Sequence, residues 1–357
     1  MPVDILKNFK LHIITLIFLN ILINSCQKRV GVESSFNPTP ITIDIPDNFP
    51  PIEHPSDNPL TLQGVNLGRH LFWEKKLSGD NTISCANCHS PQHAFTDPNT
   101  FSTGIHGDLG TRNSMVLQNL AWSKDFFWDG RAISLENQIL VTILDSTEMD
   151  ETWTNFLSEI RYDNNYRNMF FEAFETLEPD SIHAAKAIAQ FLRTMVSTNS
   201  KYDKFLRNEA VLSPEENAGL SSFNSLNGGD CFHCHGGILG TDLSFKNNGL
   251  DEIPVDSGRG LVTGRTEDNF KFKVPSIRNI EYSSPYMHDG RFNTLDEVIN
   301  FYSIGIHPNS PNIDPLIEFS SQGGVQLNPQ ERQELKAFLL TLSDPEFINN
   351  NNFSNPF

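Results

Sequence analysis

The 357-residue chain carries 26 Lys and Arg against 44 Asp and Glu, a formal charge of −18 at pH 7, and five cysteines. Such acidity argues against nucleic acid as a partner, because phosphate backbones are met by basic patches. It suits a basic protein partner, or simply a well-solvated surface. The length is enough for two domains of ordinary size.

At the N-terminus, Lys7 and Lys10 precede an apolar run from Leu11 to Ile23 that closes on Ile23-Asn24-Ser25-Cys26. A basic start followed by an apolar stretch too short to span a bilayer reads as a secretory signal peptide over residues 1–25. Its end resembles a bacterial lipobox, with Cys26 lipidated as the first mature residue; an ordinary signal with a stray cysteine is the alternative. The mature protein is expected on the periplasmic side, touching the membrane only through a lipid anchor at Cys26. The leader's two lysines and one aspartate give it +1, leaving −19 on the mature chain. Seven of the 21 prolines fall between Pro38 and Pro59, so residues 26–59 read as a Pro/Asn-rich tether. Residues 60–200 and 201–345 are expected to form two domains, and 346–357, with the Asn349–Asn352 run, a frayed tail.

Two strings carry most of the chemistry: Cys85-Ala86-Asn87-Cys88-His89 and Cys231-Phe232-His233-Cys234-His235. Each is a C-x-x-C-H, the attachment signature of a c-type haem. The two thiols add across the porphyrin vinyl groups and the adjacent imidazole is placed to bind the iron. A zinc site or a disulfide is the alternative reading of such cysteine pairs. Two covalently bound haems are therefore expected, with His89 and His235 as proximal iron ligands.

An internal repeat surrounds these strings. Leu67-Gly68 and Leu71-Phe72 precede the first; Gly219-Leu220 and Phe223 precede the second. Thr111-Arg112-Asn113 is matched with Ile277-Arg278-Asn279, and Trp128-Asp129-Gly130-Arg131 with His288-Asp289-Gly290-Arg291. Helix signals outnumber strand signals. Ser213-Pro214-Glu215-Glu216 and Thr294-Leu295-Asp296-Glu297 are capping boxes. Asn328-Pro329 opens a helix with Leu335, Phe338, Leu339 and Leu342 at core spacing, and Ser181 to Val196 predicts a long amphipathic helix. The expected fold class is mainly α, with two cytochrome c-like domains related by duplication, each bearing one covalent haem.

What each iron carries on its distal side decides the function. Thirteen residues after Asp129 stands Thr142; thirteen after Asp289 stands Tyr302. Threonine is a poor iron ligand and a phenolate a good one, which predicts an open or weakly capped first haem and a closed second one. A core tyrosine on the face of Leu295, Val298 and Ile299 is the other reading of Tyr302. An open haem that cleaves peroxide needs a distal acid/base, and Gln138 and Glu148 follow the Trp-Asp-Gly-Arg string. By spacing alone Glu148 would be a surface acid.

The ordered set from Leu67-Gly68 through Ala94-Phe95-Thr96-Asp97, Arg112-Asn113, Phe127-Trp128-Asp129-Gly130-Arg131, Leu135-Glu136-x-Gln138 and Glu148-Met149 continues past the second haem string. There it meets Phe272-Lys273-Val274-Pro275, Arg278-Asn279 and Pro285-Tyr286-x-His288-Asp289-Gly290-Arg291. Over residues 60–345 the chain resembles the bacterial dihaem cytochrome c peroxidases. The resemblance implies a peroxidatic first haem and an electron-receiving second one. Glu148 and Gln138 then match the distal acid and glutamine, and Trp128 the relay between haems, an aromatic core residue being its other reading. Also implied are a calcium ion at Asn113, Ser283 and Pro285, a small periplasmic donor such as cytochrome c, and a homodimer.

Thr142 departs from the family's usual proline. Tyr302 stands where the well-known peroxidases place a methionine ligand, and looks like the related dihaem enzyme that matures a tryptophan-derived quinone in methylamine dehydrogenase. Met287 is an alternative sulfur donor. His106, between Gly104 and Gly107, lies near where some members keep a histidine that caps the resting first haem; an exposed loop histidine is the other reading. The leading expectation is reduction of hydrogen peroxide to water. The rivals are peroxide-dependent radical oxidation of a partner protein and a non-catalytic dihaem electron carrier.

Overall fold

Helix α1 (Leu62–Trp73) starts where the Thr61 hydroxyl accepts from the Gly64 N–H, and it buries Gly64, Leu67, Gly68, Leu71 and Phe72 along one stripe. The remaining longer helices are α2 (Leu135–Leu144), α3 (Trp153–Ile160), α4 (Asn164–Phe174), α5 (Ser181–Arg193), α6 (Lys201–Leu206), α7 (Pro214–Phe223), α8 (Leu295–Asn300) and α9 (Pro329–Leu340). The computed structural model describes residues 36–357; the expected signal peptide over 1–25 and the expected anchor at Cys26 lie outside the described residues. The strands described are short, β1 (Phe245–Lys246) and β2 (Phe272–Lys273), antiparallel with Phe245 opposite Lys273. Among the described residues no helix is long and apolar enough to cross a membrane.

Two helix pairs carry the two cores. Where α1 meets α5, a Cβ on Gly68 would collide with the carbonyl oxygen of Ala187; where α7 meets α9, one on Gly219 would collide with that of Glu334. Only glycine permits so close an approach. Four residues beyond each carbonyl, the Cβ atoms of Phe191 and Phe338 rest against their glycines. The α1–α5 core gathers the fully buried Phe72, Phe95, Phe156, Phe170 and Phe191. The α7–α9 core is smaller and gathers Phe223, Leu295, Ile299, Leu335, Phe338 and Leu342.

The same likeness corrects the register of the repeat. Each helix ends with a threonine hydroxyl donating back three residues, Thr194 to Phe191 O and Thr341 to Phe338 O, both at 2.6 Å. The chain just beyond then accepts from a left-handed asparagine: Asn119 N–H to Met195 O and Asn279 N–H to Leu342 O. Asn279 therefore corresponds to Asn119, not Asn113, each nine residues before Trp128 or His288. The sequence match followed a shared Arg-Asn pair, whereas the position requires an asparagine that tolerates positive φ and caps the helix end.

The terminal segments also differ from expectation. Residues 346–357 are not frayed: Phe347 and Phe353 are buried in the α1–α5 core, 5.5 and 6.0 Å from the Phe95 ring centroid. Arg69 Nε donates to Ser354 O at 2.7 Å and Trp73 Nε1 to Phe353 O at 3.2 Å. The asparagine run obscured two phenylalanines at the right spacing to dock. Upstream, residues 36–59 lie along the body as a strap. Phe49 is buried near Trp122, and Asn58 is buried with its amide donating to Glu136 Oε1 at 2.7 Å. The long helix predicted through Val196 stops at Arg193.

Candidate functional site

A cavity of about 640 Å³ opens beside the α1–α5 core, within the range typical of ligand pockets. One wall is the first C-x-x-C-H string. Ser84 caps the single helical turn Cys85–Cys88, exchanging hydrogen bonds with Asn87, and the His89 N–H closes the turn on Cys85 O. His89 Nδ1 lies 2.8 Å from Phe95 O. A carbonyl only accepts, so Nδ1 carries the proton and Nε2 keeps its lone pair for a metal. Burial lowers the imidazole pKa, which favours that neutral form.

The facing wall is α2. Its Leu135, Gln138, Ile139 and Thr142 recur at helical spacing and all line the cavity. The turn after α2 brings in Glu148, whose N–H donates to Asp145 O at 3.0 Å. Burial, then the neighbouring Asp145 charge, raise the Glu148 carboxyl to about 7, while Arg131 pulls the other way. Arg131 sits 3.5 Å over the Phe127 ring and pairs with Asp129. Gln138, Thr142 and Glu148 thus share one cavity with Cys85, Cys88 and His89.

Trp128 lines the same cavity and faces the second half of the chain. Its indole N–H donates to Asn113 O at 2.8 Å, and its ring meets His288 edge-on at 6.5 Å. His288 stacks on Phe272 with centroids 3.7 Å apart. Arg112 binds Asp129 at 2.6 Å and Asp256 at 2.7 Å, and Lys273 N–H donates to Trp128 O at 2.7 Å. The bonds to Asn113 and Lys273 hold the tryptophan against the Phe272 and His288 segments of the chain's second half.

The second string follows the same plan. His235 Nδ1 lies 3.2 Å from Gly240 O, again leaving Nε2 free. Tyr302 sits in a π-helical turn, Phe301–Gly305, that continues α8. Such turns redirect a side chain at functional sites. Burial pushes the Tyr302 hydroxyl up to about 12, while the hydrogen bond from Asn248 pulls the other way. Asn248 Nδ2 donates to Tyr302 Oη at 3.0 Å. The cysteines of both strings are unpaired. Paired thiols beside a histidine with a free, fixed Nε2, next to a large mainly apolar cavity at the first string, fit a covalently held haem.

The structure places two further predicted residues, His106 and Asn113, as follows. His106 does not line the cavity; its side chain is 57% exposed, with Nε2 2.7 Å from Asp150 Oδ2. The carboxylate occupies the nitrogen that a capping ligand would use. Asn113 is buried, but its amide donates to Asn99 O and Thr100 O at 3.1 and 3.2 Å. Its N–H donates to His288 O at 2.8 Å, which brings it to the loop that follows Ser283 and Pro285. Among the described residues no three His, Cys, Asp or Glu cluster as a metal site, so a cation at Asn113 would rely on amide and backbone oxygens. Sequence reasoning assigned no role to Lys273 or Asn248. Lys273 lines the first cavity, its Nζ donates to Asp125 O at 2.5 Å, and burial lowers its pKa to about 8. The Phe-Lys-Val-Pro string was its signal; Asn248 had none.

The family model described as Di-haem cytochrome c peroxidase matches residues 62–211. The methylamine utilization protein MauG of Methylorubrum extorquens is 34% identical over 82% of this chain and 81% of its own length. Cytochrome-c peroxidase IdrP1 of Pseudomonas sp. (strain SCT) is 30% identical over 83% and 86%. Among solved structures, a MauG-like protein associated with microbial copper homeostasis superposes with a TM-score of 0.80 and 34% identity, over 88% of this chain and 99% of that one. The chain belongs to the bacterial dihaem cytochrome c peroxidase family, whose members include MauG. By class it is a cytochrome-c peroxidase, an oxidoreductase acting on peroxide.

Proposed function

We propose that the protein reduces hydrogen peroxide to water, with two electrons from a small periplasmic donor such as a c-type cytochrome, in a cavity walled by His89 and Glu148. Haem held by Cys85 and Cys88 would supply peroxide binding and oxidising power there; haem held by Cys231 and Cys234 would supply stored electrons. The single observation that carries this reading is that Glu148 lines the same cavity as His89, where burial raises its carboxyl towards neutrality. A base of that strength takes the proton from the inner peroxide oxygen and returns it to the outer one, so that water leaves. The Gln138 amide, one turn before Thr142, donates to the substrate oxygens and orients them. Trp128, fixed by Asn113 and Lys273, carries electrons towards the first cavity. Duplication into two haem domains, calcium at Asn113, Ser283 and Pro285, the lipid anchor at Cys26 and a homodimer belong to the same proposal. The test is peroxide-dependent oxidation of a reduced c-type cytochrome by the holoprotein, fully oxidised and half-reduced; no oxidation in either state refutes it.

Tyr302 favours a second reading. A phenolate lowers a haem's potential relative to methionine, which suits peroxide-driven radical oxidation of a partner protein better than turnover with a cytochrome donor. The similarity to MauG supports that alternative.

A further inference from the structure

Tyr302 and Met287 converge on one side chain. Asn248 Nδ2 lies 3.0 Å from Tyr302 Oη and 3.7 Å from Met287 Sδ, and its two hydrogens allow one bond to each. The phenol and the thioether are therefore neighbours, packed with Phe292 and Ile313 around Leu250, Phe301 and Ile306. Both are possible ligands for an iron held by His235, and they differ in hardness: phenolate suits ferric iron and thioether the softer ferrous state.

The backbone that presents Asn248 is held on both sides. The Asn247 amide donates to Ser310 Oγ at 3.0 Å and Pro311 O at 2.7 Å, and the Gly249 N–H donates to Asn247 Oδ1 at 2.9 Å. Gly249 O accepts from the His307 N–H at 2.9 Å, and Asn247 O from the Asp314 N–H at 2.9 Å. Asn247, Gly249 and Leu250 are buried. The backbone on either side of Asn248 is thereby fixed, which limits where its amide can reach.

We infer that Asn248 is a positioning residue that selects the distal ligand of the second haem, holding the Tyr302 oxygen in place and engaging the Met287 sulfur so that it stays off the iron. The inference rests on the proposed haem at His235 with Tyr302 as its distal partner. Donation from Asn248 draws charge from a phenolate and stabilises it, as outer-shell donors do for metal ligands generally. Without that amide, Tyr302 loses its anchor and Met287 its restraint, and the thioether replaces the phenolate.

The experiment compares holoprotein variants by absorption and magnetic circular dichroism of the oxidised second haem and by redox titration of its midpoint potential. Asn248→Leu, close in volume, is expected to lose the phenolate-to-iron charge-transfer signature, gain a thioether one and raise the potential. Asn248→Leu with Met287→Leu is expected to show no thioether signature and a potential below that of Asn248→Leu alone. Tyr302→Phe reports on the underlying reading. If Tyr302→Phe removes the phenolate signature while Asn248→Leu keeps both signature and potential at wild-type values, the role of Asn248 is refuted. If Tyr302→Phe itself changes nothing, the ligand reading fails, and the selection role fails with it.

Discussion

The two C-x-x-C-H regions share a scaffold and differ in what stands opposite the histidine. Both rest on a glycine-pinned helix pair, a threonine-ended helix and a left-handed asparagine, and both lock histidine Nδ1 on a backbone carbonyl. In the first, α2 stays regular to Leu144 and presents Gln138 and Thr142 to a cavity that also takes Glu148. In the second, α8 gives way after Asn300 to a π turn that carries Tyr302, held by Asn248 beside Met287. On the proposed function, one scaffold would serve two chemistries: a small residue and a protonatable acid would leave room for substrate, whereas a phenol and a thioether would supply ligands.

The sharpest way to break the contrast is to give the first half the second half's residue. Thr142→Tyr is expected to abolish peroxide turnover while cytochrome-dependent reduction of the second haem, followed by stopped-flow absorption, persists. Glu148→Gln leaves the cavity's shape but removes the proton shuttle, and kcat/KM for peroxide should fall about 10²- to 10⁴-fold with the haem spectra unchanged. Phe353→Ala empties a buried site in the α1–α5 core and should cost about 3–5 kcal/mol in denaturant unfolding; a docked tail predicts that loss and a frayed one predicts none. Glu148 must be ionised to accept a proton. The wild-type kcat/KM should therefore rise about tenfold per unit as pH approaches about 7 from below and level off above it, a step absent in Glu148→Gln. The smallest effect belongs to His106→Ala, which should leave the resting spectrum of the first haem as it was, because the imidazole lies on Asp150 outside the cavity.

Much of the plan was legible because it is local. The attachment strings announce themselves by spacing, and the capping boxes at Ser213 and Thr294 and the Asn328-Pro329 signal start helices where expected. What sequence reasoning missed depends on long-range contact. Phe353 finds Phe95 across most of the chain, and Asn248 finds Tyr302 through a loop with no pattern of its own. The register of the repeat went astray because Arg112 and Arg278 look alike and do different work. Arg112 ties Asp129 to Asp256, whereas Arg278 is buried on Asp203. The exposure of His106 likewise follows from Asp150, 44 residues away.

Electron paramagnetic resonance of the resting, fully oxidised holoprotein tests the asymmetry between the two halves most directly. One high-spin or weakly capped ferric haem together with one low-spin ferric haem whose signal changes in Tyr302→Phe is the expected result. Two six-coordinate low-spin signals, both unaltered by Thr142→Tyr and Tyr302→Phe, would contradict it.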